Sequence, residues 1–365
     1  MTIVIFILVL VALIVVHEFG HFVVAKLSGM RVDEFGLGYP PKVWGKKFGE
    51  TEYTFNWLPF GGFVKIHGED PEVGVDPDPR AFTAKPRSLQ ALVLVAGIAM
   101  NLFFAFLLLT VVLALGTTRA LSPEEVAKAP DAQLAIASVL PDSPAGIAGL
   151  VPGDVIVSST AAGGTYAGPD PTLFMALINE EGADAPLELS VKHGSEVKTV
   201  SVTPNKGIIA SAPERYALGI GLATIGTVKV PLLEAPWEAL LLTWQLTKDT
   251  AVALAHFFGS IFTLTADLAQ VSGPIGIAGA VGIASSDGLA ALLSITALIS
   301  INLALINLLP IPALDGGRLL FVIIEAITRR PIKPAFANAV NAVGFAFLIL
   351  LMVVVTAHDI FKIVG

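Results

Sequence analysis

Four stretches of the chain are long, apolar and nearly free of charge. They lie at about residues 3–27, 89–115, 289–309 and 337–357, and each is close to the ~20 residues that a helix needs to cross the hydrocarbon core of a bilayer. The region between the second and third stretches is polar enough, and long enough, to fold as a separate domain. The pattern therefore predicts an α-helical membrane protein with four transmembrane helices and one inserted domain.

The composition agrees with a membrane location. Hydrophobic residues make up 54% of the chain and charged residues 14%, whereas soluble domains have about 25% charged residues. The chain contains no cysteine, so a metal site would have to use His, Asp, Glu or Asn ligands. The net charge of -8 is modest and no basic run is present, which excludes nucleic acid as an expected partner.

Basic residues in the loops predict the topology. They cluster after the first apolar stretch and between the third and fourth, and loops rich in Lys and Arg face the cytoplasm. The inserted region is acidic by contrast. With four spans, both termini and the inserted domain are expected on the extracytoplasmic side. The basic loop residues are Lys26, Arg31, Lys42, Lys46, Lys47, Lys65, Arg80, Lys85, Arg87, Arg318, Arg329, Arg330 and Lys333.

The first apolar stretch contains the sequence HEFGH at residues 17–21. A secretory signal peptide is the alternative, but no basic segment precedes the apolar run, no small-x-small cleavage site follows it, and apolar residues resume at 22–25. As one helix, the stretch places His17, Glu18 and His21 inside the membrane, about 15 Å from its cytoplasmic end. Ionisable groups at that depth are costly and usually functional.

The spacing of these three residues indicates a hydrolytic zinc centre. Positions four apart share one face of a helix, so His17 and His21 can bind one tetrahedral Zn²⁺. Glu18 can then take a proton from the metal-bound water. The alternative is a polar seam between packed helices, which would seldom need three ionisable groups within five residues.

A third ligand is expected where the third apolar stretch ends. The sequence NLLPIPALDGG at residues 307–317 combines two prolines, which break a helix, with two glycines, which allow close backbone approach. Irregular backbone at membrane depth is tolerated only against protein or a wet cavity. Asp315 is the one carboxylate in this break and is the predicted third ligand, with an aqueous helix cap and turn as the alternative. Asn302 and Asn307 can either bind a substrate backbone or hold helices together.

The chain resembles the site-2 proteases, a family of intramembrane zinc metalloproteases, in their bacterial branch of regulated intramembrane proteolysis. The similarity extends over nearly the whole chain. One departure is Ile98, where the family usually has a proline ahead of the asparagine at position 101; that proline shapes packing and not chemistry. The shared motifs are HEFGH, FGLGYPP, TEYTFNWLPFGGFVKIHGED, AGIAMN, GPIGIAG and NLLPIPALDGG.

The resemblance implies a reaction and a set of site residues. The family's LDG aspartate, which is its third zinc ligand, matches Asp315. Its asparagine before LLP, implicated in holding the substrate backbone, matches Asn307, and the match at Asn302 is weaker. The implied function is cleavage of single-span membrane proteins, such as anti-sigma factors or signal-peptide remnants, within the bacterial cytoplasmic membrane. The zinc site is expected towards the cytoplasmic half of that membrane.

Two accessory parts are expected as well. The loop after the first span alternates β-formers with turn residues, and the resemblance implies a β-hairpin that dips into the membrane beside the zinc. The sequence SPAGIAGLVPGDVI at 143–156 resembles the signature of bacterial PDZ domains, an α+β fold. The usual Asn-Gly after its strand is replaced by Ser159–Gly164, so ligand binding by the groove stays open. His193, beside a glycine, is expected to be a solvated turn residue.

The expected organisation follows the chain in order. It comprises helix one with HExxH at 1–28, the cytoplasmic hairpin loop at 29–88, helix two at 89–115, an extracytoplasmic PDZ domain at 121–224, amphipathic helices and a connector at 234–280, helix three with LDGG at 289–317, and helix four at 337–358. The amphipathic assignment rests on polar residues that recur about every third or fourth position.

Two other classes of function are alternatives to proteolysis. A transporter can use intramembrane His and Asp for metal ions or protons, but four spans without an inverted repeat disfavour it. An inactive PDZ scaffold would not need an intact Glu18 together with both histidines and Asp315.

Overall fold

The structure is a computed structural model that describes residues 1–69, 78–127, 129–161, 164–181, 186–194, 196–209, 212–263 and 273–364. The chain divides into two compact units. The first, called the membrane unit here, comprises Met1–Val112 and Leu232–Gly365, and the second, the inserted unit, comprises Leu113–Pro231.

The helices and strands are numbered along the whole chain. The helices are α1 (Thr2–Leu27), α2 (Arg87–Leu115), α3 (Pro123–Val126), α4 (Pro144–Ile147), α5 (Pro171–Glu181), α6 (Ala235–Phe262), α7 (Pro274–Ser286), α8 (Leu289–Leu308), α9 (Asp315–Thr328) and α10 (Pro334–Val364). The strands are β1 (Val32–Phe48), β2 (Thr51–Ile66), β3 (Thr117–Ala120), β4 (Gln133–Val139), β5 (Val155–Ala161), β6 (Gly164–Tyr166), β7 (Leu187–His193), β8 (Glu196–Val202) and β9 (Ile220–Val228).

Within the described residues, four helices are long and apolar enough to cross a membrane, which confirms the predicted number. They are α1, α2, α8 and the Pro334–Phe361 part of α10. The region expected as helix three, 289–317, consists of α8, a short break and the start of α9. Pro310 and Pro312 lie in that break, where neither can supply the N–H that would continue the helix.

The loop after α1 is a more elaborate sheet than a simple hairpin. The first half of β1 pairs on both of its edges, since Leu37 is opposite Gly62 on one side and opposite Phe55 on the other. Residues 51–56 in turn pair with the second half of β1, for example Phe55 with Trp44. The two long strands therefore form four segments in the order 62–66, 32–37, 51–56 and 42–48, so the outer edges belong to 62–66 and 42–48.

The base of this sheet packs into the membrane unit. A buried cluster joins the end of α1, the start of β1, the end of β2, the first third of α2 and one residue of α9. The cluster fixes the hairpin loop against the helices that carry the predicted metal ligands. Its members are Ala25, Met30, Val32, Ile66, Phe82, Val93, Leu94 and Val322.

The inserted unit is an α+β domain with an antiparallel sheet. The strand order is β3-β9-β4-β5-β7-β8, and β6 pairs with β5. Phe174 of α5 is completely buried against the sheet core, which includes Leu134, Leu187 and Leu189. Alternation of apolar residues accounts for the strands, as in β7, where Leu187, Leu189 and Val191 are buried and the residues between them are not.

His193 is solvated beside a turn, as expected, but it also has a partner that the sequence did not predict. This residue is the last of β7, and its Nδ1 lies 2.8 Å from Oδ1 of Asp154. Asp154 is completely buried and also accepts a hydrogen bond from the Val151 amide at 3.1 Å. The buried carboxylate needs partners, and His193 is one of them although its own side chain is 60% exposed.

Candidate metal centre

Three side chains with ligand atoms converge in the membrane unit. Nε2 of His17 lies 2.9 Å from Oδ2 of Asp315, and Nε2 of His21 lies 3.2 Å from the same oxygen and 3.2 Å from Nε2 of His17. Both histidines are 7% exposed. In the part of the chain that the structure describes, this is the group of three or more His, Asp or Glu residues that could hold a metal ion.

The three atoms fit a zinc ion. Zinc bonds of about 2.0–2.1 Å place the ligand atoms of a tetrahedral site roughly 3.3 Å apart, which is close to the observed triangle. Two imidazole nitrogens and one carboxylate oxygen also match the ligands of hydrolytic zinc sites, which keep a fourth position open. The geometry and the donor chemistry therefore agree with Zn²⁺.

The local sequence explains how each ligand reaches the centre. His17 and His21 are one helical turn apart on α1, so their rings leave the same face. Asp315 is the first residue of α9 and follows directly on the break after α8. The next two residues must be small, because a Cβ at Gly316 would lie 2.2 Å from the Leu309 carbonyl oxygen.

Helix α2 supports the two histidine rings. Nδ1 of His21 lies 2.8 Å from the Val93 carbonyl oxygen, to which it donates when Nε2 faces the metal. Nδ1 of His17 lies 3.2 Å from Nδ2 of Asn101, which is completely buried. Gly97, between these two positions on α2, passes so close that a Cβ there would lie 2.3 Å from His21 Nε2.

These contacts of α2 were not predicted from the sequence. The motif AGIAMN contained the signal, since it places Asn101 inside an apolar span, where an unpaired amide is costly. Nothing in the local pattern shows that Gly97 and Asn101 face α1, because both sit in a helix that is apolar on all sides.

Glu18 is half-buried beside the ligands, and its carboxylate has no hydrogen-bond partner among the residues described. The outer edge of the hairpin sheet lies next to it. A Cβ at Gly62 would come within 3.4 Å of Glu18 Cγ and 3.1 Å of a methyl carbon of Ile14. The Glu18 side chain, next in sequence to His17, therefore lies against an edge strand.

The two predicted substrate-binding asparagines differ. Nδ2 of Asn302 donates to the Leu298 carbonyl of its own helix at 2.9 Å. Asn307 is half-buried in the last turn of α8, and within the described chain its amide has no hydrogen-bond partner. Among the described residues, the amide of Asn307 thus has unused donors, whereas Asn302 uses one on its own helix.

The fold and the site define a class of protein: a metal-dependent hydrolase whose predicted ligands lie on one membrane-length helix, α1, and at the start of the shorter helix α9. Comparison with known proteins identifies the family. The chain belongs to Peptidase family M50, whose family model matches residues 5–351.

Individual relatives agree with this family assignment. The chain is 38% identical to a putative zinc metalloprotease of Clostridium perfringens over 350 residues, which cover 96% of this chain and 95% of that protein. It is 28% identical to zinc metalloprotease RasP of Geobacillus kaustophilus, with 98% and 97% of the two chains covered.

Among solved structures, the PDZ domain of an SdrC-like protein from Listeria monocytogenes matches with a TM-score of 0.21 and 21% identity, over 25% of this chain and 86% of that chain.

The family assignment confirms the resemblance to site-2 proteases. The chain is a zinc metalloprotease, and Zn²⁺ is its cofactor. The convergence of His17, His21 and Asp315 provides a place for that ion within the membrane unit.

Proposed function

We propose that the protein hydrolyses peptide bonds inside the transmembrane segments of single-span membrane proteins, with His17, His21 and Asp315 as zinc ligands and Glu18 as general base. The observation that carries this proposal is the triangle of ligand atoms, with sides of 2.9–3.2 Å, in a unit built of membrane-length helices. A hydrolytic centre in that position acts on peptide bonds that enter the bilayer.

The residues have separate roles in the reaction. When bound, Zn²⁺ polarises the scissile carbonyl group and lowers the pKa of a bound water. Glu18 follows His17 directly in the sequence, and its carboxylate has no hydrogen-bond partner among the described residues, so it can take a proton from the attacking water and pass it to the leaving amine. His17, His21 and Asp315 hold the ion and leave one position open.

The hairpin edge and Asn307 are proposed to hold the substrate. A transmembrane helix must unwind before its peptide bond can reach the ligands, and an extended segment can pair with the edge of a sheet. Residues 62–66 form such an edge, and Gly62 lies against Glu18. The amide of Asn307, which has no partner in the described part of the chain, can add hydrogen bonds to the substrate backbone, and Asn302 is a second candidate.

Location and partners follow from the loop charges and the family. The basic loops support a zinc site towards the cytoplasmic half of a bacterial cytoplasmic membrane. The inserted unit, assigned as a PDZ domain from its 143–156 signature, then lies outside, and the amphipathic helices around 234–280 lie on the outer surface. Anti-sigma factors and signal-peptide remnants are the proposed types of substrate.

Zinc content and cleavage together test the assigned roles. In purified full-length protein, Glu18→Gln should keep zinc but lose about 10²–10⁴-fold in rate, because an amide cannot accept the water's proton. His21→Ala and Asp315→Ala should lose zinc as well as activity. Glu238→Gln, an exposed carboxylate on α6, is the matched control and should change neither quantity.

Two results would contradict these roles. Loss of zinc in Glu18→Gln would make Glu18 a ligand, and full zinc occupancy in Asp315→Ala would place the third ligand elsewhere. Cleavage is followed on a model transmembrane segment reconstituted in the same detergent or lipid as the enzyme.

A further inference from the structure

A completely buried amide lies against the first histidine. Asn101 on α2 is 0% exposed, and its Nδ2 is 3.2 Å from Nδ1 of His17. The backbone carbonyl of Asn101 accepts a hydrogen bond of 2.8 Å from the Ser300 hydroxyl of α8. The side-chain amide thus lies beside the ring nitrogen of His17 that points away from the other two predicted ligands, and the Ser300 bond reaches only the backbone of Asn101.

The amide oxygen of Asn101 is buried and has no hydrogen-bond partner in the described chain. A buried polar atom without a partner costs about 1–3 kcal/mol, so the unpaired oxygen of Asn101 needs an explanation. The ring of His17 provides that explanation, because an imidazole that binds a metal through Nε2 carries its proton on Nδ1. That proton needs an acceptor, and a half-turn of the Asn101 amide places its oxygen there.

The side-chain amide of Asn101 can pair with His17 both without and with a bound metal ion. Without metal, Nε2 of His17 can donate to Asp315 Oδ2, 2.9 Å away, while Nδ1 accepts from the amide nitrogen of Asn101. With metal on Nε2, Nδ1 donates to the amide oxygen. A side chain with both a donor and an acceptor can follow this exchange of tautomers, whereas an apolar side chain of the same size can do neither.

The second histidine shows the same arrangement in another form. Nδ1 of His21 is paired with a backbone carbonyl of α2, that of Val93, which no side-chain substitution removes. Helix α2 thus orients both rings, one through its backbone and the other through Asn101. Partners of this kind fix the orientation and tautomer of metal-binding histidines.

We infer that Asn101 is a positioning residue of the zinc site, which holds His17 in the orientation and tautomer that present Nε2 to the metal. This inference rests on the proposed assignment of His17, His21 and Asp315 as ligands. It assigns to a residue in the middle of a transmembrane helix a role in metal affinity and not only in helix packing.

The test is the zinc affinity of the purified full-length protein, measured by competition with a chromophoric chelator. Asn101→Leu should bind zinc about 10–100-fold more weakly. Asn101→Asp should stay within a few-fold of wild type, because a carboxylate oxygen accepts the Nδ1 proton. Ser300→Ala is the matched control: it removes a buried hydrogen bond to Asn101 and leaves the side-chain amide in place, so its affinity should equal that of wild type.

Several outcomes would overturn the inference. The first is wild-type zinc affinity in Asn101→Leu. The others are a loss of zinc affinity in Ser300→Ala or Asn101→Asp as large as that in Asn101→Leu, because either would indicate that Asn101 acts only through packing. If Asn101→Leu does not fold, Asn101→Ala replaces it in the same comparison. A His17→Ala variant separates the two proposals. Full zinc binding by His17→Ala would refute the ligand assignment. Loss of zinc from His17→Ala, together with wild-type zinc affinity in Asn101→Leu, would refute only the role of Asn101.

Discussion

Gly97 of α2 lies close to both predicted histidine ligands. A Cβ at this position would lie 2.3 Å from Nε2 of His21 and 2.8 Å from Cε1 of His17. Atoms cannot approach so closely, so a larger residue must displace a ring that is held between two helices. The absence of a side chain at Gly97 is therefore a condition for the triangle of ligand atoms.

We predict that Gly97→Ala weakens zinc binding and lowers the cleavage rate by roughly 10–100-fold, because displacement of a catalytic group by about 1 Å can cost that much. Chelator competition and cleavage of a model transmembrane segment measure the two effects. Gly279→Ala on α7 is the control, since a Cβ at Gly279 meets no atom within 4 Å. Wild-type zinc affinity in Gly97→Ala would show that the rings adjust freely.

At the scale of elements, α7 is held by a carboxylate from another helix. The first N–H groups of a helix have no partner within it. Asp359 of α10, only 6% exposed, accepts hydrogen bonds from the Gly273 and Gly276 amides at 3.2 and 2.8 Å. The last membrane-length helix thus caps the short apolar helix that packs beside α1 and α8.

We predict that Asp359→Leu destabilises the protein by about 1.5–3 kcal/mol, the value of a hydrogen bond to a charged group. Thermal or denaturant unfolding in detergent measures this change. Asp287→Leu, an exposed carboxylate at the other end of α7, should have little effect. If both variants unfold like wild type, the cap contributes no measurable stability.

For the whole molecule, the proposed topology makes opposite predictions for two introduced cysteines. The natural chain has none, so each introduced thiol reports alone. A cysteine at Glu214, whose side chain is 92% exposed in the inserted unit, should react with a membrane-impermeant thiol reagent in intact cells. A cysteine at Arg330, in the exposed segment before α10, should react only after permeabilisation. The reverse labelling pattern would show that the protein has the opposite orientation in the membrane.

The inserted unit is proposed to restrict which substrates reach the zinc site. The predicted ligands, Glu18 and Asn307 all lie in the membrane unit, so deletion of about 121–224 should leave the chemistry intact. Substrates that still carry a bulky outer domain should then become cleavable, whereas the enzyme without the deletion should cleave only trimmed ones. Cleavage of trimmed and untrimmed substrates by both enzymes measures this selectivity.

Recruitment is the alternative role for this unit, and the same measurement distinguishes it. If the unit binds an exposed chain end of the substrate, its deletion should slow the cleavage of trimmed substrates. Untrimmed substrates should then remain uncleaved. If a folded, zinc-loaded deletion variant still does not cleave the untrimmed substrate, the inserted unit does not restrict access to the zinc site.

The sequence alone determined the features that depend on local order. The length of each apolar run defines the four membrane-length helices, and the four-residue spacing of His17 and His21 sets both rings on one face of α1. Two prolines and two glycines mark the break before Asp315, and the resemblance to a family named that residue as the third ligand. These features were predictable because each is encoded within one helix or one turn.

Only the tertiary structure decided which distant elements meet. It brings Asp315 to within 2.9 Å of His17, across 298 positions of the chain. It also turns Gly97 and Asn101 towards the histidines, pairs the first half of β1 on both edges, and sets Asp359 on the start of α7. In a helix that is apolar on every side, periodicity does not distinguish the face towards lipid from the face towards protein. Contacts between helices therefore depend on packing that the local pattern does not specify.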